Sequence, residues 1–243
     1  MMWCIFEMGH EGCEIKVLDH CMVSPPAGSV PNPTTSLPLT FFDIKWLLKP
    51  KNLPVRRLSL YKFPHPTHHF MKIVFPSLKH SLSLTLQHFF PYAGKLVCPP
   101  QPQKPHILYV EDDSSYSSVP FTVTEWSTGD FNLFLSNQPK NVTVLHPFAT
   151  SLPSVSTLED GTRLVPLMAV QVTVLPNSGF GICVTVNHVA ADGKAFLHFM
   201  KSWASICRTR GESLDNVPLH DRSVVEDPNG FELNLLKQWS SPW

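Results

Sequence analysis

The residues with the most chemical promise lie in one short run, Asn187-His188-Val189-Ala190-Ala191-Asp192-Gly193. An imidazole titrates near neutrality, so His188 can take a proton from an attacking hydroxyl. A positioned base of this kind contributes about 10²–10⁴ in rate. Asp192 follows four residues later, where a carboxylate could orient the motif or cap the next helix. The spacing alone decides little. In a chain with 12 histidines, random placement yields about half a His-x-x-x-Asp match, and one is present. A histidine hydrogen-bonded to a nearby carbonyl beside a helix-capping aspartate fits the same spacing.

Other clusters offer less. His65, His68 and His69 gather near an expected helix start, but no cysteine or carboxylate completes a metal set, and a solvated loop accounts for them. Cys4, His10, Cys13, His20 and Cys21 are dense, yet their spacings match no zinc pattern. His20 falls in a strand, where alternation makes it an ordinary strand residue. No metal is assigned. The chain contains no nucleophile elbow, phosphate-binding loop or dinucleotide glycine set, which argues against hydrolase, kinase and dehydrogenase chemistry.

The elements that must hold His188 follow from pattern. Leu167–Leu175 and Gly181–Val189 are rich in β-branched residues and are separated by Pro176-Asn177-Ser178-Gly179, which predicts an antiparallel hairpin. His188 then ends the second strand on the face of Ile182, Val184 and Val186. A helix follows from Gly193, with Phe196, Phe199, Met200, Trp203 and Ile206 as its buried stripe, and Gly211 stops it. Upstream, Glu14–Val23 reads as a first strand. The stretch 24–38, with Pro25, Pro26, Pro31, Pro33 and Pro38, reads as loop. Leu39–Leu48 is apolar around Asp43 and fits helix or strand equally. Val55–Phe63 alternates as a strand. Thr67 can cap a helix towards Phe90, with Pro76 as a kink or a second start. His106–Glu111 and Phe121–Trp126 are further strands. A short element lies near Asp130–Leu135, and residues 136–163 are mostly irregular. Residues 1–13 read as an irregular extension, 14–211 as one domain, and 212–243 as a polar linker with apolar residues at Phe231, Leu233, Leu235 and Leu236.

Composition bounds the partners. The 243 residues are 43% hydrophobic, enough for a sizeable core. Lysine plus arginine equal aspartate plus glutamate at 19 each, so there is no electrostatic footprint for nucleic acid or an anionic membrane. The 24 prolines suit long, rigid connections. No apolar run reaches the roughly 18 residues of a membrane span. No signal peptide is evident, and the six cysteines contain no C-x-x-C pair. Free thiols in the cytoplasm are the simplest account. Asn141-Val142-Thr143 matches a glycosylation acceptor, which carries little weight without a secretory signal.

Context lifts the motif above chance. His188-Val189-Ala190-Ala191-Asp192-Gly193 follows a strand and precedes Lys194-Ala195-Phe196. Val17-Leu18-Asp19-His20-Cys21-Met22-Val23-Ser24-Pro25-Pro26, Leu37-Pro38-Leu39-Thr40-Phe41-Phe42-Asp43-Ile44-Lys45-Trp46-Leu47, Leu78-Lys79-His80-Ser81-Leu82-Ser83 and Phe90-Pro91-Tyr92-Ala93-Gly94-Lys95-Leu96 precede it in order. This set, over about residues 14–236, resembles the plant BAHD acyltransferases with their His-x-x-x-Asp-Gly motif. Its versions are similar to those of members that acylate anthocyanins and other phenolic glucosides with malonyl or hydroxycinnamoyl groups.

The resemblance implies an α/β fold of the chloramphenicol acetyltransferase type, a mixed sheet flanked by helices, here as the first of two domains. It implies His188 as general base and Asp192 as a structural residue that orients the motif loop and pairs with an arginine. Acyl-CoA would be the co-substrate rather than a resident cofactor, a phenolic glycoside the acceptor, and the full-length enzyme a monomer. The family's second landmark, Asp-Phe-Gly-Trp-Gly, does not occur in this sequence, and family members are nearly twice as long. The resemblance therefore implies an N-terminal half, with most CoA contacts outside it and activity of the chain alone in question. A transferase for another alcohol or amine, and a non-catalytic half-domain that binds a ligand or partner or is a decayed gene product, remain open alternatives.

Overall fold

A computed structural model describes residues 15–49, 54–111, 113, 116–136, 138–139, 141–211, 214 and 216–239. The extension at 1–13, with Cys4, His10 and Cys13, lies outside the described residues.

The fold is mixed α/β. In chain order its strands are β1 (Ile15–Val23), β2 (Thr34–Pro38), β3 (Val55–Lys62), β4 (Lys95–Cys98), β5 (His106–Val110), β6 (Val119–Trp126), β7 (Ser156–Thr157), β8 (Arg163–Pro166), β9 (Met168–Leu175) and β10 (Gly179–Val186). Its helices are α1 (Phe41–Leu47), α2 (Thr67–His69), α3 (Phe75–Leu86), α4 (Phe131–Leu135), α5 (Gly193–Thr209) and α6 (Phe231–Gln238). The strands divide between two five-stranded sheets, ordered β1-β6-β9-β10-β3 and β2-β5-β4-β8-β7. Every described pairing is antiparallel except β6 with β9.

The hairpin β9–β10 forms as its sequence predicts. Leu175 pairs with Gly179, and Asn177 takes φ +59° in the turn, a left-handed conformation that asparagine tolerates better than most residues. All eight residues of β10 are buried, as are all of β9 except Gln171. A strand covered on both faces reads as a continuous apolar run rather than an alternation.

Two expectations are corrected and one is resolved. The proline-rich stretch 24–38 is not all loop, because Thr34–Pro38 pairs with β5. It can do so because β2 is an edge strand, with Pro33 just outside it and Pro38 at its end, where a missing N–H is tolerated. The helix begun at Thr67 makes the second start expected at Pro76, α3 opening at Phe75 with Pro76 in its first turn. Residues Phe70–Val74 form a π-helical turn in which the Phe75 N–H bonds the Phe70 carbonyl, five residues back. Pro76 has no N–H for the Lys72 carbonyl and would crowd it, so the preceding turn widens. The other correction concerns the end of β10. Its ladder stops at Val186, so His188 does not continue the face of Ile182 and Val184. The Asn187 N–H instead bonds the Leu167 carbonyl at 2.8 Å, and the Ala190 N–H bonds the Asn187 carbonyl at 2.9 Å. The chain turns at Asn187 and carries His188 out of the sheet.

The ambiguous segment Leu39–Leu48 resolves as α1. Thr40 and Asp43 form a reciprocal capping box, with the Thr40 N–H donating to Asp43 Oδ2 at 2.9 Å. Helix α5 buries Phe196, Phe199, Trp203 and Ile206, while Met200 is only half-buried. It docks on α3 through the Trp203 indole N–H, which donates to Ser81 Oγ at 3.0 Å. It ends where Arg210 and Gly211 take φ of +58° and +100°. Gly94 explains part of the Tyr92–Leu96 run: a Cβ there would lie 2.5 Å from the Leu108 carbonyl oxygen, so β4 could not approach β5 this closely with any side chain at 94.

Candidate active site

The turn after β10 delivers His188 to a cavity of about 380 Å³. Its walls come from α1 (Asp43, Lys45, Trp46), from the segment before β4 (Phe89, Pro91, Tyr92), from the start of α5 (Asp192, Ala195, His198) and from the returning segment at 218–225 (His220, Arg222, Val225). Three of the five runs that resemble one family, 37–47, 90–96 and 188–193, thus line a single space.

His188 is half-buried. Its ring lies against the indole of Trp46, with centroids 3.6 Å apart and planes 13° from parallel. Its Nδ1 is buried and has no hydrogen-bond partner. Asn187, beside it, uses its side-chain oxygen to accept from the Val189 N–H at 3.0 Å, which stiffens the turn.

Asp192 lines the same cavity but faces the helix. Its Oδ1 accepts from the Ala195 N–H at 2.7 Å, as an N-cap should, and a carboxylate at a helix N-terminus is also favoured by the helix dipole. The arginine expected to pair with Asp192 pairs elsewhere: Arg222, on the same cavity wall, forms its ion pair with Asp43 at 3.2 Å. Asp43 therefore serves twice, capping α1 and tying α1 to the segment that follows α5. Tyr92 is buried between these groups. Burial, and secondly the charge of Asp192, push its phenol well above the ordinary range, while Arg222 acts in the opposite direction. Tyr92 therefore stays protonated at physiological pH and can donate a hydrogen bond but not act as a base.

The polar edge is completed by two histidines. His220 Nε2 lies 2.8 Å from the His88 carbonyl, and His198 Nε2 lies 2.9 Å from the Asn216 carbonyl. Burial lowers the affinity of His220 for a proton; its bond to the His88 carbonyl opposes this and the Arg222 charge adds to it.

The structure brings His188 and Asp192 together at one cavity. It leaves the other histidine cluster outside it: His65 and His69 meet with ring centroids 4.8 Å apart and planes tilted by 30°, and among the described residues no three metal-binding side chains converge. His20 bonds Thr122 Oγ1 across the β1–β6 pair at 2.9 Å. Sequence reasoning missed Trp46, Tyr92, Asp43, Arg222, His198 and His220 as wall residues. For Asp43 a signal existed, since Thr40-x-x-Asp43 is a capping pattern. For Arg222 and His220 there was none, because their partners lie far away in the chain.

Comparisons with known proteins bear on the family and the fold. A family model described as the Transferase family matches residues 14–234. The chain is 41% identical over 233 residues to coumaroyl-CoA:anthocyanidin 3-O-glucoside-6''-O-coumaroyltransferase 1 of Arabidopsis thaliana, covering 93% of this chain and 48% of that protein. It is 42% identical over 232 residues to malonyl-coenzyme A:anthocyanin 3-O-glucoside-6''-O-malonyltransferase of Dahlia pinnata, covering 92% and 48%. The chain spans about half the length of the curated relatives it matches. Among solved structures, vinorine synthase aligns with a TM-score of 0.59 at 20% identity, over 87% of this chain and 46% of that one. TRI101 of F. graminearum, complexed with ethyl coenzyme A, aligns at 0.53 and 14% identity, over 81% and 45%; these two share the fold. Among the described residues no helix is long and apolar enough to cross a membrane. With a family model matched from residue 14 to residue 234, the chain belongs to the Transferase family, that of the BAHD acyltransferases.

Proposed function

We infer that this chain carries the base of an acyl-CoA-dependent O-acyltransferase whose acceptor is a hydroxyl of an anthocyanin or another phenolic glucoside. The observation that carries this reading is the position of His188 on the cavity wall in a chain about 40% identical to coumaroyl and malonyl transferases of anthocyanin glucosides. Because Nδ1 is buried, Nε2 is the nitrogen left to meet a reacting hydroxyl. It takes the hydroxyl proton as the oxygen bonds to the thioester carbonyl carbon. The tetrahedral species collapses with cleavage of the carbon–sulfur bond, and the thiolate recovers the proton from the imidazolium. The products are an ester and free CoA thiol, and no covalent enzyme intermediate is needed. Asp192 acts in this scheme through structure, capping α5 so that the motif loop keeps its course. The four described cysteines, Cys21, Cys98, Cys183 and Cys207, are unpaired, which fits a cytoplasmic enzyme.

The test is transfer from malonyl-CoA and coumaroyl-CoA to an anthocyanidin 3-O-glucoside. It is run with the chain alone and with the chain joined in frame to the second half of the Dahlia enzyme. His188→Ala is expected to lower turnover by about 10²–10⁴ in whichever form is active. Transfer that survives His188→Ala unchanged overturns the assignment.

A further inference from the structure

A histidine base is ordinarily oriented by a hydrogen bond on the ring nitrogen that does not react. His188 has none: its Nδ1 is buried and unpartnered. The acid nearest in sequence, Asp192, directs its carboxylate to the Ala195 N–H instead. What His188 does have is a parallel indole face at 3.6 Å. We propose that Trp46 is the positioning residue of this site, its stacked indole holding the His188 ring in the orientation that a hydrogen-bonded carboxylate supplies in other histidine bases. This rests on the reading of His188 as the base.

The support behind Trp46 is rigid. Ile44 and Leu47, on either side of it in the helix, are buried in the core. The start of α1 is fixed by its capping box, by the Asp43–Arg222 ion pair and by Phe41 against Phe231, with ring centroids 5.8 Å apart. The soft torsion of a histidine ring, χ2, turns the ring plane about the Cβ–Cγ bond, and an imidazole stacked on so fixed a plane cannot make that turn without losing the contact. That turn is the motion that would swing Nε2 away from the cavity. The stack also favours the reacting state, because an imidazolium over an indole face is a cation–π pair. Lys45, whose Nζ lies 5.3 Å from the Trp46 ring centroid, shares that ring, so orientation rather than charge is the main consequence.

Two substitutions separate stacking from bulk. Trp46→Phe keeps an aromatic face, while Trp46→Leu fills similar space without one. In proton NMR of the 243-residue chain, the His188 ring protons are expected upfield of the other histidines through the indole ring current. Most of that shift should survive in Trp46→Phe and vanish in Trp46→Leu, with both variants melting within a few degrees of each other. In the active form of the transferase assay, Trp46→Leu is expected to lower kcat about 10–100-fold with KM little changed, while Trp46→Phe stays within about threefold of the parent. Absence of the upfield shift in the parent chain, or equal kcat in the two variants, overturns the proposal. Turnover indifferent to His188→Ala would instead sink the functional reading while leaving the stack, read by its ring-current shift, intact.

Discussion

The hairpin β9–β10, whose exit turn carries His188 to the cavity, and the segment from 216 to 239, which lines the cavity at 218–225, are held by opposite means. The hairpin is buried on both faces and paired along its whole length. The segment keeps much apolar surface in solvent, with Leu219 74% and Val224 61% exposed. A few side chains pin it: Arg222 to Asp43, His220 to the His88 carbonyl, Glu232 to Lys104 at 2.7 Å, and the Trp239 carbonyl to Gln101 Nε2 at 2.8 Å. The hairpin thus supplies the frame from which His188 emerges. The segment supplies part of the wall facing it, through these contacts and through the packing of Trp239, Leu235 and Leu236 on the core. The Lys104–Glu232 pair is largely exposed, and such pairs contribute about 0–1 kcal/mol, whereas Arg222–Asp43 is partly buried.

A matched pair of substitutions tests this contrast most severely. Val184→Asp puts a carboxylate at a position with no exposure and no partner for it. The cost should exceed about 4 kcal/mol, enough to abolish the cooperative thermal transition seen by circular dichroism. Val224→Asp, the same change in the segment, should stay within about 0.5 kcal/mol. Comparable losses at the two sites would erase the distinction.

Between the regions stands Asp192, where the turn after the hairpin meets α5. Removing the cap in Asp192→Ala should cost about 1 kcal/mol, a fall in Tm of roughly 2–4 °C. Asp192→Asn, which can still accept from the Ala195 N–H, should recover most of it. Full parental stability in the alanine variant would remove the structural role.

The smallest effect concerns pH. Burial, aided by Arg222, holds the His220 imidazole below its ordinary value, and burial does the same to His88. The unfolded chain therefore binds protons at these sites at a higher pH than the folded chain. The stability they contribute is complete above about pH 6.5 and is lost as pH falls from there through the folded values. Melting temperature should decline modestly from about pH 7.5 to about pH 5.5, and His220→Gln should flatten part of that decline. An unchanged slope would place the acid sensitivity elsewhere.

How much of this was legible in the residues depended on how local each feature is. The hairpin was readable because β-branched runs flank a turn-forming Pro-Asn-Ser-Gly. Helix α5 was readable because its stripe is buried on one side and its end carries a glycine. His188 and Asp192 were readable through the ordered landmarks around them rather than through their spacing. The exit of His188 from the strand was not, because it depends on a bond from the Asn187 N–H to Leu167, across the hairpin. Strand β2 was hidden by prolines that only an edge position permits. The Trp46–His188 stack joins residues more than a hundred positions apart, and the docking of Arg222 on Asp43 still more; no periodicity encodes such pairs.

The strand order has a consequence for how the chain is made. Among the described residues strand β1 pairs with β6 alone, and the bonded pair His20 and Thr122 is separated by 102 residues. Among them, too, strand β3 pairs with β10 alone, so Val55 must wait for Val186. At about 5–20 residues per second of translation, each early strand leaves the ribosome roughly 5–25 s before its partner exists. During that interval β1 and β3 present unpaired edges to whatever else is nearby. Chaperone supply during synthesis, more than the stability of the finished fold, should therefore govern how much of this protein a cell recovers in native form.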